Sequence, residues 1–233
     1  MKLIHLTCLI QRTTASAVVA LGTFAAALPA AAVPIDWASW SGISTGTTGA
    51  ASAAFGASGI TATYSGELQN FFASYPSYTP GGTFSGGAID NAPPSANGIL
   101  QIFGGANAGV NTLTFSQAVL NPVMAIWSLG QGGVNAQFAF NTAFTIESGG
   151  PSAEYAGAAI TSVGNTVFGV EGNGSIQFTG SVTSISWTNP VAENWYGFTV
   201  GTSVQAIPEP ETYALMLAGL AAVGFVARRR AAA

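Results

Sequence analysis

The sequence predicts an all-β fold: a two-sheet sandwich of jelly-roll type, flanked by an N-terminal signal peptide and a short C-terminal hydrophobic helix. Three observations point there. Strand-length apolar runs recur through residues 33–206, punctuated by Gly, Asn, Pro and Ser, with no period of 3.6. Several of these runs alternate apolar and polar residues, as a strand with one wet face requires. Charged residues make up only 6% of the chain, against about 25% in an average soluble domain, so Ser, Thr, Asn and Gly must do most of the solvating.

Taken in order, Ile60, Ala62 and Tyr64 alternate with Thr61, Thr63 and Ser65. Strands follow at Ile99–Phe103, Thr112–Phe115 and Val123–Leu129. Val134, Ala136, Phe138 and Phe140 then share one face. Further strands are expected at Phe144–Ile146, Val167–Glu171 and Ile176–Thr179. In Val182–Thr188, Ile185 and Trp187 share a face between Ser184, Ser186 and Thr188, and Tyr196–Val200 and Ser203–Ile207 complete the set. Glu171-Gly172-Asn173-Gly174 reads as a hairpin, with Asn173-Gly174 as its two-residue turn. Spacings near ten residues suit a sandwich. The length of 33–206 suits one domain.

All five basic residues (Lys2, Arg12, Arg228, Arg229, Arg230) sit at the ends of the chain. Residues 33–206 contain no Lys, Arg, His or Cys, but seven acids: Asp36, Glu67, Asp90, Glu147, Glu154, Glu171 and Glu193. A region without cations does not neutralise phosphates, so no nucleic-acid partner is expected. Without His or Cys it holds neither an imidazole- or thiolate-assisted nucleophile nor a soft-metal site. No cofactor is expected.

The two ends are addresses. Lys2 and Arg12 precede an apolar stretch, Ala15–Leu28, and Pro29-Ala30-Ala31-Ala32 supplies the helix breaker and small residues of a cleavage site. Residues 1–32 are therefore read as a signal peptide, residues 33–206 as the β domain and residues 207–233 as a C-terminal signal. In that last segment Pro208 and Pro210 hold the backbone extended around Glu209. Thr212 is placed to cap a helix over Tyr213–Ala227, and Arg228-Arg229-Arg230 form a basic stop on the cytoplasmic side. Such a helix is roughly 22 Å long against a hydrocarbon core of about 30 Å, marginal for a permanent span.

IPEPETYALMLAGLAAVGFVARRR (207–230) closely resembles the PEP-CTERM sorting signal of Gram-negative bacteria that make exopolysaccharide. Pro208-Glu209-Pro210 matches its signature, Tyr213-Ala214-Leu215-Met216 the start of its helix and Arg228–Arg230 its basic end. The resemblance implies transient inner-membrane anchoring, processing by an exosortase, and release to the cell surface or an exopolysaccharide matrix. Asp36-Trp37, Ile60–Glu67, Ala125–Gly132, Ser148–Tyr155, Glu171–Gly174 and Glu193–Phe198 also resemble a globular domain common among PEP-CTERM proteins. That likeness carries fold and location, not chemistry.

Three candidate sites remain. Phe71, Phe72, Tyr75 and Tyr78 lie in a Pro-containing, non-alternating stretch and could stack on the apolar faces of sugars; the alternative is that these rings cap an open end of the sandwich. A carboxylate pair such as Glu154 with Glu193 could serve glycoside hydrolysis, if one acid had a raised pKa; scattered surface acids are the simpler reading. Calcium is the only metal chemistry left, but Asp90-Asn91 has no acid-rich loop around it. The expectation is a non-enzymatic exported protein with a structural or adhesive role, its partners an exosortase and an exopolysaccharide or cell-surface polymer. The alternative is a carbohydrate-binding or carbohydrate-modifying domain.

Overall fold

The structure is a computed structural model that describes residues 32–74, 76–94, 98–105, 108–204, 216–223 and 228. Apart from Ala32, the signal-peptide segment lies outside the described residues.

Among the described residues, sixteen strands run in chain order. They are β1 (Ile35–Trp37), β2 (Ser39–Ser44), β3 (Gly46–Ala54), β4 (Thr61–Leu68), β5 (Asn70–Phe72), β6 (Ile99–Ile102), β7 (Asn111–Leu120) and β8 (Val123–Leu129). Then come β9 (Ala136–Phe140), β10 (Phe144–Gly149), β11 (Ala158–Ala159), β12 (Thr161–Val163), β13 (Thr166–Gly169), β14 (Gly172–Phe178), β15 (Ser181–Thr188) and β16 (Tyr196–Ser203). A 3-10 turn at Pro76–Tyr78 and the one-turn helix α1 (Gly81–Phe84) lie between β5 and β6. The expected final strand at Ser203–Ile207 is not separate: Ser203 ends β16, and residues 205–207 lie outside the described residues.

The strands form two eight-stranded sheets. The first has the order β10-β14-β8-β16-β6-β5, with β1 beside β16 and β11 beside β14; the second is β12-β13-β9-β15-β7-β4-β3-β2. Every pairing is antiparallel except β11 with β14. The chain changes sheet repeatedly, as from β7 to β8 and from β8 to β9, which gives the sandwich its jelly-roll character.

Each sheet takes its character from its residue pattern. β4, β9 and β15 alternate buried and exposed positions, and all belong to the second sheet, whose outward face meets water. β8 is buried at every position and β16 at all but its last, because the first sheet is covered on both sides. Inside the sandwich, Trp187 packs against Tyr64 (5.9 Å, stacked), Phe198 (5.1 Å, edge-on) and Phe138 (6.2 Å). Outside the first sheet a second core forms, where Tyr78, Phe84 and Ile89 from segment 76–94 pack with Ile35, Trp37, Ile99, Val123, Ala125 and Trp127. Polar ties hold that cover in place: the Ser175 hydroxyl donates to the Phe84 carbonyl (2.8 Å), and Asn91 Oδ1 accepts from the Ile35 amide (2.7 Å).

One expectation is corrected. Asn173-Gly174 is not a hairpin turn, because β13 and β14 belong to different sheets and do not pair. Residues 170–171 carry the chain across, and the left-handed residue is Glu171 (φ +51°). Asn173 lies inside β14, at a register shift against β8, fully buried. Its side-chain oxygen accepts from the Ser128 amide (2.9 Å), and its nitrogen donates to the carbonyls of Glu171 (2.9 Å) and Ala156 (3.2 Å). An Asn that satisfies three backbone groups at a bulge leaves the same sequence trace as a turn Asn.

Candidate functional site

Of the four rings singled out from the sequence, the three described ones, Phe71, Phe72 and Tyr78, do not gather on one surface. Phe71 and Phe72 are neighbours in β5, so alternation sends them to opposite faces: Phe71 packs on the core between the sheets, Phe72 on the outer core. Tyr78 is buried, edge-on to Phe84 (5.1 Å). Burial pushes its hydroxyl well above the usual tyrosine pKa, and among the described residues that hydroxyl has no hydrogen-bond partner. Tyr75 lies outside the described residues, as do Pro208, Glu209, Pro210, Arg229 and Arg230. Residues 216–223 are helical and exposed, and Arg228 is also helical and exposed. Among the described residues no helix is long and apolar enough to cross a membrane.

Phe72 instead joins a chain of rings at one end of the first sheet. It meets Trp195 at 4.9 Å, Trp195 meets Trp127 at 6.1 Å edge-on, and Trp127 meets Tyr155 at 5.6 Å. The residues come from β5, β8, the 150s loop and the entry to β16, so only folding assembles them. Beside them lies Glu193, with 5% exposure. Its Oε1 accepts from the Trp195 amide (2.7 Å), but Oε2 has no partner, and neither does Trp195 Nε1.

Burial raises the Glu193 pKa from 4.5 to about 7; the backbone amides of Trp195 and Asn194 pull it down, and the charge of Glu171 pushes it further up. The carboxylate acting on Glu193 is thus Glu171, whose Oε2 accepts from the Ser128 hydroxyl (2.6 Å). Glu154, the partner considered from sequence, accepts from the Ser77 hydroxyl (2.6 Å). Desolvation, then Glu154, then Glu171 raise the pKa of the half-exposed Tyr155. One end of the sheet thus holds a carboxyl that exchanges its proton near neutral pH, indole and phenol rings, and a second acid. Such a set suits hydrogen bonding to a neutral hydroxylated ligand. Glu193 Oε2 itself lies below the surface.

A second buried carboxylate, Glu67 at 3% exposure, sits in a different environment. Four N–H groups converge on it: Gln69 Nε2 (2.9 Å) and Phe103 N (3.0 Å) on Oε1, Gly104 N (2.7 Å) and Asn189 Nδ2 (3.2 Å) on Oε2. Around it, Asn111 Oδ1 accepts from the Tyr64 hydroxyl (2.6 Å) and the Glu67 amide (3.1 Å), while Asn111 Nδ2 donates to Asn189 Oδ1 (2.7 Å). Burial, Glu67 and Tyr196 together hold the Tyr64 pKa well above its usual value. Every member of this network is satisfied, as a structural polar cluster requires.

Sequence reading missed both assemblies. The adjacency of acid and indole in Glu193-Asn194-Trp195 was the one local signal for the first; nothing local connects Glu67 with Gly104 or Asn189. Among the described residues, no three His, Cys, Asp or Glu side chains converge as metal ligands would, and Asp90 stands apart from any such group.

Comparison with known proteins informs one segment. A family model, the PEP-CTERM protein-sorting motif, matches residues 206–230. No curated protein and no solved structure matches the chain significantly. The chain bears a PEP-CTERM protein-sorting motif at its C-terminal segment, which marks an exported, exosortase-processed protein of the cell envelope or surface.

Proposed function

We propose that this protein acts without chemistry of its own, as a structural or adhesive component of the surface or exopolysaccharide matrix of a Gram-negative bacterium. On this reading the signal peptide exports the chain, and the apolar tail holds it briefly in the inner membrane with Arg228–Arg230 on the cytoplasmic side. An exosortase then acts at or beside Pro208-Glu209-Pro210 and releases the sandwich. The observation that carries the reading is the sorting motif at 206–230, joined to a domain whose buried acids serve the interior. A non-enzymatic role is supported by the position of Glu193 Oε2 below the surface and by the lack of His and Cys in 33–206.

Cell fractionation tests the route. The native chain is expected in the surface and matrix fractions, and a Pro208→Ala, Glu209→Ala, Pro210→Ala triple variant in the inner membrane. Equal surface delivery of the variant would remove the exosortase step.

A second reading, a domain with a specific glycan partner, is favoured by the ring chain Phe72–Trp195–Trp127–Tyr155 beside Glu193. The half-exposed ring of Tyr155 at the end of this chain is suited to a sugar's apolar face. Glycan-array binding that collapses on Tyr155→Ala, with unfolding temperature unchanged, would favour it; no binding to any glycan would sink it.

A further inference from the structure

The outward face of the second sheet is an uncharged array of hydroxyls in register. Ser41 lies opposite Ser52, Ser52 opposite Thr63, Thr63 opposite Thr114 and Thr114 opposite Ser184, so five strands line up one hydroxyl each in a row. The next row continues the pattern with Ser65, Thr112 and Ser186 opposite one another. Ser41, Ser52, Thr63, Ser65 and Thr114 are exposed, and Thr112, Ser184 and Ser186 half-buried. Strand geometry spaces the hydroxyls about 4.8 Å apart within a row and sets the rows about 6.7 Å apart.

Charge is segregated away from this face. The eight strands of the second sheet contain one charged residue, Glu67, and it points into the sandwich with 3% exposure. The other acids of the domain lie on β1, on β10 or in the segments that join or cover the first sheet.

We propose that this face is a contact surface for an uncharged, hydroxyl-rich polysaccharide; the proposal rests on the adhesive reading above. Hydroxyls both donate and accept, so their natural complement is another array that does both. An anionic polymer would gain no ion pair here, since residues 33–204 contain no cation, and would meet the negative field of six other acids. A second copy of the chain would bring equal negative charge and two hydrated faces with little apolar area to bury. A single small sugar needs a concave site, whereas a repeating row favours a polymer whose many weak contacts add along its length.

The test is retention of the purified full chain, in mild detergent, on amorphous cellulose as neutral probe and on alginate as anionic probe. Thr63→Val with Thr114→Val removes two central hydroxyls while keeping shape and strand preference. Thr63→Glu with Thr114→Glu puts charge in the same place. Both are read beside thermal unfolding. The native chain is expected on cellulose and not on alginate. The Val variant is expected to be retained at least about tenfold less at unchanged stability, as loss of two hydrogen bonds implies. The Glu variant is also expected to be retained less, at a small cost in stability from two like charges placed opposite one another. Should the native chain bind neither polymer, the adhesive reading falls as well. Should the Val variant bind cellulose like the native chain, this surface assignment alone falls. Loss on Tyr155→Ala alone would move the contact to the ring chain. A native dimer that dissociates in the Glu variant would replace the polymer by a second copy. Each of these overturns the proposal.

Discussion

Glu67 and Glu193 are both acids buried within this domain, at 3% and 5% exposure, and their surroundings differ in one respect. Glu67 receives four N–H donors from three parts of the chain. Glu193 receives one strong bond from the Trp195 amide, and its second oxygen receives none. Burial disfavours the charged form of Glu193, and its few donors do not offset that cost. Glu67 therefore works as an internal tie between β4, the end of β6 and the segment after β15. Glu193 stays poised near neutrality, held up by burial and by the charge of Glu171.

The comparison breaks most sharply at Glu67. Glu67→Ala leaves four donors facing a void, and a loss of about 3–5 kcal/mol is expected, as for removal of one side of a buried charged cluster. For a domain of this size that is a fall in unfolding temperature of roughly 10 °C, measurable by thermal denaturation. A change below about 1 kcal/mol would show that the network is not a structural tie.

Next is Gly104, which donates to Glu67 and has φ +71°. A Cβ there would lie 2.2 Å from the Tyr196 hydroxyl and 2.6 Å from the carbonyl oxygens of Asn189 and Val191. Gly104→Ala is expected to cost about 2–3 kcal/mol by chemical denaturation, through left-handed strain and crowding together.

The third prediction turns on Glu193. Its folded pKa, about 7, lies above the ordinary 4.5, so between those values the folded state binds more protons than the unfolded one. Stability is then greatest at the acid end of that window and falls as pH rises from about 4.5 through about 7. The ceiling on that loss is roughly 3 kcal/mol, at about 1.4 kcal/mol per pKa unit. Glu193→Gln should flatten the curve between pH 5 and 8. An unchanged slope in Glu193→Gln would contradict the assignment. The smallest effect is expected on the open face of the second sheet, where Thr63→Val should change stability by less than about 0.5 kcal/mol.

The two sheets also differ in how far the sequence revealed them. Strands with one wet face announce themselves by alternation, and Ala62/Tyr64, Phe138/Phe140 and Ile185/Trp187 all lie in the second sheet with the inward faces expected of them. Val123–Leu129 matches its strand at both ends, but its unbroken apolar run did not say what covers its outer side. That cover is segment 76–94, a stretch without alternation, whose Tyr78, readable from sequence either as a sugar-stacking or as an end-capping ring, lies in the outer core. Asn173 misled for a related reason: its dipeptide is the strongest local turn signal, yet its side chain is occupied within the first sheet, by β8 and the 150s loop. The polar assemblies were illegible because Glu67 draws donors from positions up to 122 residues away. Only the sorting motif is complete within one short segment, and it is the part that comparison identifies.

The central claim, that this chain is exported and then parted from its tail, is tested most directly by the intact mass of the protein recovered from the producing bacterium. The account predicts a mass that lacks residues 1–32 and the segment following Pro208-Glu209-Pro210, with any excess giving the mass of an attached group. A mass that retains Tyr213–Ala233 would contradict it and leave a sandwich still joined to its apolar helix.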